Sequence, residues 1–449
     1  MPTVDYLTLA EARSDLAQRL GDPDLVFWRA AEIDEYLRES IQTWNVAALY
    51  HRTRASFNTT PGQAFYDISP LLSDGTSLVL ERTLTPAQII TRIIYHLMEN
   101  QGADVDGTAW VGTSMFTLDD LTQAVYRRVN RFLEETGQIV SRETQAVASG
   151  EGIIELTPEW IDVRRVAWTT PEGVTTNLWR TSEYVADNQF NDWNVAPGTP
   201  EAYSVAVRPI RTLQLIPPPI DNGTLDLLTV DTSIVTSVPI FNDFGWVIKW
   251  GAMADLLGQE GEANDPERSK YCEQRWAEGI QLAKIMSTVL RTMINGASVQ
   301  TCALFDFDAQ VPDWQDSVLD AATNAATPNT PAMAGPNLLA LYPVPDVTLA
   351  VPEGNHAITM DVVRNAIIPT EDDDLVQIER QFLATILDYA QHLASFKCQG
   401  GEFMATYAHY ERIFKAAAEQ NSRLMENSDQ FPILAEQEEK DRPRFKVAA

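Results

Sequence analysis

Residues 28–44, WRAAEIDEYLRESIQTW, and residues 116–132, FTLDDLTQAVYRRVNRF, decide how this chain is read. Each spaces large apolar residues along one face of a helix. Moved by 88 positions, the first segment falls on the second without a gap. Trp28 lands on Phe116, Ile33 on Leu121, Leu37 on Val125, Ile41 on Val129 and Trp44 on Phe132. The match runs on beyond the helices, with Gly62 on Gly150, Phe65 on Ile153, Asp67 on Glu155, Ile68 on Leu156 and Pro70 on Pro158. Convergent amphipathic patterning would match the helix faces, but it would seldom also match a strand with its bounding Gly and Pro. The pattern therefore reads as an internal repeat.

The later parts of the chain echo one another more loosely. LIPPPID at 215–221 resembles LYPVPD at 341–346, and VPIFNDFGWVIKWGAMADLL at 238–257 resembles IIPTEDDDLVQIERQFLATIL at 367–387. Both continue through a Gly-Glu pair (Gly261–Glu262, Gly401–Glu402) into a helix with Tyr271 and Arg275, or Tyr410 and Arg412. The order is first half, first half, second half, second half, as if one unit were inserted in another. The expected division is a helical first half of an outer unit at 1–113 and an inner unit at 114–300, whose helices flank a β-rich domain. A linker follows at 301–337, then the second outer half at 338–426 (a β stretch plus a helix pair) and a terminal arm at 427–449. The expected fold class is α+β, a helical bundle with a β-rich, sandwich- or barrel-like insertion, built as two nested similar units.

Local signals fill in this frame. Helices are expected at about 8–20 (Thr8 as cap, Gly21 and Pro23 as stop), 29–47, from Pro86 to Asn100, 117–136 (ended by Gly137), 243–258, 265–290, 373–397 and 401–426. Strands are expected at FYDIS (65–69), IIEL (153–156), VRRVAW (163–168), TLQLI (212–216) and TLDLLTV (224–230), with a β-like stretch at 338–368. Trp246 and Trp250 share a helix face and are expected in the core.

Composition bounds the function. The 449 residues suit two or three domains, and an apolar fraction of 45% suits packed cores. Lys and Arg total 33 against 63 Asp and Glu, a net charge of −30, so the chain repels phosphate backbones and no basic patch offsets this. Three scattered cysteines (Cys272, Cys302, Cys398) argue against a disulfide framework or zinc site. The opening MPTVDYLTLAEARSDL carries no leader pattern, and no window is apolar enough to span a membrane.

Motifs for chemistry are sparse. The five histidines form neither H-x-x-x-H nor H-E-x-x-H, and no phosphate-binding loop, dinucleotide fingerprint or nucleophile elbow occurs. DVDG at 104–107 and FDFD at 305–308 lack the glycine and closing glutamate of a calcium loop. Glu371 to Asp374 reads as acids favouring a helix N-terminus. The expectation is no enzyme, no cofactor and no metal; the enzyme-class rival is a glycan-cleaving tail protein. FPIL at 431–434, in a charged tail, reads as a segment that docks onto a partner.

One family resemblance rests on these residues. Phe116, Asp119 and Asp120 open a helix that leads to the strand IIELTPEW. A bend then carries Pro197, Gly198, Pro200 and Tyr203, and a strand carries Leu213, Leu215, Pro217 and Pro219 ahead of a final helix pair. This pattern, with the opening LTLAEARSDLAQRLGDPDLVFWRAAEIDEYLRESIQTWN, resembles the head-to-tail adaptor (connector) proteins of tailed bacteriophages, over about three quarters of the chain. The resemblance implies a structural virion protein, made in the host cytoplasm and placed in the neck. It would form a ring of about twelve copies under the portal, extend the channel through which genomic DNA passes without sequence-specific binding, and carry tail, nozzle or fibre proteins. It also implies a C-terminal arm docking on the portal, here through Phe431, Pro432, Ile433, Leu434, Arg442, Arg444 and Phe445. Another neck or tail component, tail-tube-proximal or fibre-docking, is the alternative.

Overall fold

A computed structural model describes residues 6–60, 62–72, 84–97, 115–157, 160–189, 196–206, 211–231, 240–261, 264–285, 288–310, 314, 328–345, 356–397 and 412–420. Its helices are α1 (Leu9–Arg19), α2 (Ala30–Ala48), α3 (Pro86–Leu97), α4 (Leu118–Thr136), α5 (Glu183–Gln189), α6 (Gly245–Leu257), α7 (Pro266–Ile285), α8 (Leu304–Gln310), α9 (Arg380–Ser395) and α10 (412–420). Its strands are β1 (Arg52–Asn58), β2 (Phe65–Asp67), β3 (Val140–Val147), β4 (Ile153–Glu155), β5 (Trp160–Thr169), β6 (Thr175–Asn177), β7 (Trp179–Arg180) and β8 (Ala202–Ala206). They continue with β9 (Thr212–Ile216), β10 (Gly223–Asp231), β11 (Val289–Ile294), β12 (Ala297–Val299), β13 (Cys302–Ala303), β14 (Thr330–Met333), β15 (Leu338–Tyr342) and β16 (Ala357–Val363). The fold is mixed α+β with four small sheets. It divides into a unit of Met1–His51, Thr91–Ala103 and Asn365–Ala449, and a unit of Arg52–Ile90 and Asp104–Arg364.

The first unit is helical. Thr8 caps α1 in a reciprocal box with Glu11, satisfying two N–H groups that the helix leaves unpaired. Trp44 of α2 is fully buried against Phe382 and Phe414, at centroid distances of 5.2 and 5.5 Å. Lys397 is buried with Glu32 at 3.0 Å and also donates to the Phe27 carbonyl oxygen. The loop before α2 is fixed by Asp22, whose carboxylate accepts the N–H groups of Val26, Phe27 and Trp28 and leaves Val26 and Phe27 facing solvent.

The second unit holds all four sheets and α4, α6 and α7. Phe132 of α4 lies between Phe244 and Trp276, at 5.7 and 6.2 Å. Helices α6 and α7 approach closely because Gly251 and Gly279 leave room: a Cβ on Gly251 would lie 2.4 Å from the Trp276 ring. The sheets are β3-β10-β5-β6, β4-β9-β8-β7, β1-β16-β11-β12 and β13-β14-β15-β2.

The four sheets fall into two pairs of the same design. β10 lies between β3 and β5, antiparallel to both, as β16 lies between β1 and β11. The ladder slips between Val163 and Arg165 in β5 and between Val289 and Arg291 in β11. β9 joins β4 to β8 as β15 joins β2 to β14, and the short parallel pair β7–β8 is matched by β13–β14. The helices α2 and α4 are both 19 residues long, and each ends on a residue with positive φ, Leu49 or Gly137. Below, α4 to α7 with β3 to β10 form the continuous module; α2, α8 to α10, β1, β2 and β11 to β16 form the split module.

Several expectations need correction. Strands β1 and β3 were not expected: both are sheet edges with polar, largely solvent-facing sequences (RTRASFN, VSRETQAV), so no apolar run announces them. The stretch 301–337, expected as a linker, carries β13, α8 and β14 among its described residues. Residues 289–299, expected in the inner unit, form a hairpin whose strand β11 pairs with β16 and whose strand β12 pairs with β11, because Ile294 and Thr292 complete the buried face made by Ile358, Met360 and Val362. Helix α9 begins at Arg380, so Glu371 to Asp374 lie outside its first turn. Instead the Asp374 carboxylate accepts the N–H groups of Thr370 and Glu371, and Asp372 pairs with Arg13 at 2.9 Å.

Candidate assembly faces

The expected docking residues Phe431, Pro432, Ile433, Leu434, Arg442, Arg444 and Phe445 lie outside the described residues, as does DVDG at 104–107. Trp246 and Trp250 are buried as expected. Among the described residues no group of His, Cys, Asp and Glu is placed to hold a metal ion, and no helix is long and apolar enough to cross a membrane. The Cys272 thiol is pushed far up by complete burial, so it is no ready nucleophile. The Tyr203 hydroxyl is likewise pushed up by burial, to about 12.

The most organised polar site is the junction between the two modules inside the second unit. One face of the β3-β10-β5-β6 sheet packs on the β4-β9-β8-β7 sheet through Trp160, Val163, Leu213, Leu215, Leu225 and Leu227. Its other face, through Val140 and Leu228, packs on the split module at Phe65, Leu304, Phe307, Trp314 and Leu338. The FDFD run therefore sits in α8 with a packing role: Phe307 is buried, and Asp308 is the hub of a hydrogen-bond network.

Arg165, buried on β5, donates to both Asp308 oxygens, Nε at 2.7 Å and Nη2 at 3.2 Å, and also to the Asn177 side-chain oxygen. Asn177 donates to Asp308 at 2.9 Å, and the Trp314 indole N–H donates at 2.7 Å. The Arg165 guanidinium also lies 5.7 Å from the Trp314 ring centroid and 5.9 Å from that of Phe65. Arg142 covers Phe65 from 4.9 Å and is held by Asp226 at 2.7 Å. A carboxylate this fully engaged is structural: its lone pairs are committed to fixing one module on the other.

Two of the sheets carry exposed residues on one face. On the β1-β16-β11-β12 sheet that face carries Arg54, paired with Asp361 at 2.8 Å, and Arg291, whose Nε donates to Ser298 Oγ at 3.4 Å. On the β4-β9-β8-β7 sheet it carries exposed Ile153 and Glu155, and the adjoining α5 presents Glu183, Tyr184 and Asp187.

Sequence reading missed the Arg165–Asp308 contact because the two residues are 143 positions apart and share no local motif. A signal was present: QFNDW at 189–193 and QVPDW at 310–314 follow α5 and α8, marking the two helices as counterparts. No protein-family model matches the chain, and no curated protein matches its sequence.

Proposed function

We propose that this chain is a structural subunit of a tailed-phage neck, a head-to-tail adaptor. It assembles as a ring beneath the portal, extends the DNA channel and carries tail, nozzle or fibre proteins. The observation that carries this reading is the element-by-element match of the two modules. The matched positions are packing positions: the aromatic trios around Trp44 and Phe132, the positive-φ ends of α2 and α4, and the strand bulges before Arg165 and Arg291. What is repeated is shape, which a ring-forming part needs and catalysis does not.

The same match supports a nested duplication, the continuous module standing between β2 and β11 of the split one. A net charge of −30 suits a channel wall that lets phosphates pass without gripping them. In this reading 427–449 is the portal-docking arm, and the ring has about twelve copies.

The test is co-expression with the portal protein of the same genome, followed by affinity purification through the portal. Co-purification of the full chain supports the adaptor reading. A chain that ignores the portal while binding tail proteins belongs elsewhere in the neck or tail.

A further inference from the structure

Strand β1 forms one edge of its sheet, and the ladder fixes which of its backbone groups meet β16. The Thr59 N–H donates to the His356 carbonyl oxygen at 2.9 Å, which makes Thr59 and His356 a hydrogen-bonded pair. Such pairs alternate with open ones along an antiparallel ladder. Thr53, Ala55 and Phe57 therefore bond to Val362, Met360 and Ile358, while the N–H and C=O groups of Arg54, Ser56 and Asn58 point away from β16. β16 shows the same alternation on its other side: the Ala357 carbonyl oxygen accepts from Asn295, and the Val363 N–H donates to Thr288. Among the described residues no strand lies on the outer side of β1.

Strand β3, the counterpart of β1, shows what such an edge takes. The Val140 N–H donates to the Asn337 side-chain oxygen at 3.0 Å, and the Asn337 side-chain N–H donates back to the Val140 carbonyl oxygen at 3.1 Å. An amide with donor and acceptor so placed stands in for one peptide unit of an added strand. Val140 stands in β3 where Arg52 stands in β1, on the same outward alternation as Arg54, Ser56 and Asn58. The two edges share their design: Arg54 is held by Asp361 of β16 at 2.8 Å, and Arg142 by Asp226 of β10 at 2.7 Å.

We propose that β1 takes an added strand. An extended, acidic segment of a partner protein pairs with Arg54, Ser56 and Asn58 and lengthens the sheet. Main-chain hydrogen bonds supply the affinity of such an addition. Charge selects the class of segment: β1 carries Arg52 and Arg54 and no acid, in a chain whose net charge is −30. Opposite charges across a strand pair stabilise it and like charges weaken it, so an acidic strand is favoured and a basic one opposed. Nothing in β1 blocks the addition, since it has no proline and keeps one register with β16 over all seven residues. The edge is open whether or not the chain forms a ring, so this reading and the adaptor reading fail separately.

The test is amide hydrogen exchange of the full chain, read residue by residue across 52–58 by mass spectrometry with fragmentation. In the free chain Arg54, Ser56 and Asn58 are expected to exchange fast, and Thr53, Ala55 and Phe57 slowly. The probe is a synthetic Thr-Glu-Val-Glu-Thr-Glu-Val peptide, with lysines in place of the glutamates as the control. The acidic peptide is expected to slow the three outward amides, and the basic one to leave them fast. Ser56→Pro removes one outward N–H without costing a bond to β16, and is expected to weaken binding about tenfold by fluorescence anisotropy.

No slowing at about 1 mM acidic peptide would overturn the proposal, as would equal slowing by the basic one. Slow exchange in the free chain would show the edge already covered, and slowing on concentrating the chain alone would assign it to a second copy; either overturns the partner strand. Should Ser56→Pro misfold, Arg54→Glu gives the second readout. Its preference between the two peptides is expected to reverse, and an unchanged preference overturns the pairing at Arg54.

Discussion

Removing the Asp308 carboxylate tests the module junction most sharply. The Asp308 side chain is 17% exposed, that of Arg165 is 8% exposed, and the carboxylate accepts hydrogen bonds from Arg165, Asn177 and Trp314. In Asp308→Ala the Arg165 guanidinium stays buried without the carboxylate that accepts from its Nε and Nη2. Breaking one partner of a buried ion pair costs about 3–5 kcal/mol. The residual exposure of Asp308 admits some water, which sets the expectation near the lower end, about 3 kcal/mol. The assay is urea unfolding followed by near-ultraviolet circular dichroism, read on the transition of the sheet-bearing unit. Arg165→Met combined with Asp308→Leu leaves no stranded charge, so the double variant is expected within about 1 kcal/mol of wild type. A single variant that costs less than about 1 kcal/mol, or two changes whose effects simply add, would refute the junction as described.

Other expectations follow from the same structure. Deleting 427–449 should leave the melting profile unchanged and abolish co-purification with the portal; retained binding contradicts the docking arm. Gly251→Ala should destabilise by about 1–3 kcal/mol, because its Cβ would meet Trp276 at 2.4 Å and Arg128 at 2.8 Å; thermal unfolding reads this, and a neutral result would show that the helix pair yields. Gly137→Ala should cost about 1 kcal/mol from its φ of 58°, with the Arg164 guanidinium 3.1 Å from the new methyl; an unchanged melt contradicts it.

Acid should loosen the Asp22 loop. The backbone N–H of Trp28, aided by those of Val26 and Phe27, holds the Asp22 carboxyl below its ordinary range. The folded state therefore favours the ionised form. The contribution is complete above the unfolded value of about 3.9 and is lost as pH falls through the lower folded value. Carboxyl NMR titration should show that lowered midpoint, and an ordinary midpoint would count against the loop geometry.

How much was legible beforehand depended on where each signal resides. Helices with a one-sided apolar face were readable: Thr8 and Pro86 marked the starts of α1 and α3, and the Trp28–Trp44 spacing predicted α2 and its counterpart α4. Strand β11 was hidden because VLRTMI continues the helical pattern of α7 without a break, and only pairing with β16 decides its state. The acids at 371–374 looked like helix starters because α9's true beginning at Arg380 lacks a side-chain cap. The junction was invisible for another reason: Arg165 and Asp308 meet only after both modules fold, and spacing carries no trace of that. Had the α5 and α8 segments been aligned through their shared Gln-x-x-Asp-Trp, Asp308 would have been visible from sequence as the counterpart of Asp187.

The central claim is that the chain is an assembling subunit of a portal-bound ring. Mass photometry of the purified chain, alone and with the portal protein of its genome, addresses it most directly. The account predicts a discrete species of fixed stoichiometry on the portal ring, absent when the portal is omitted or the 427–449 arm is removed. A chain that remains a free monomer beside an intact portal would contradict it.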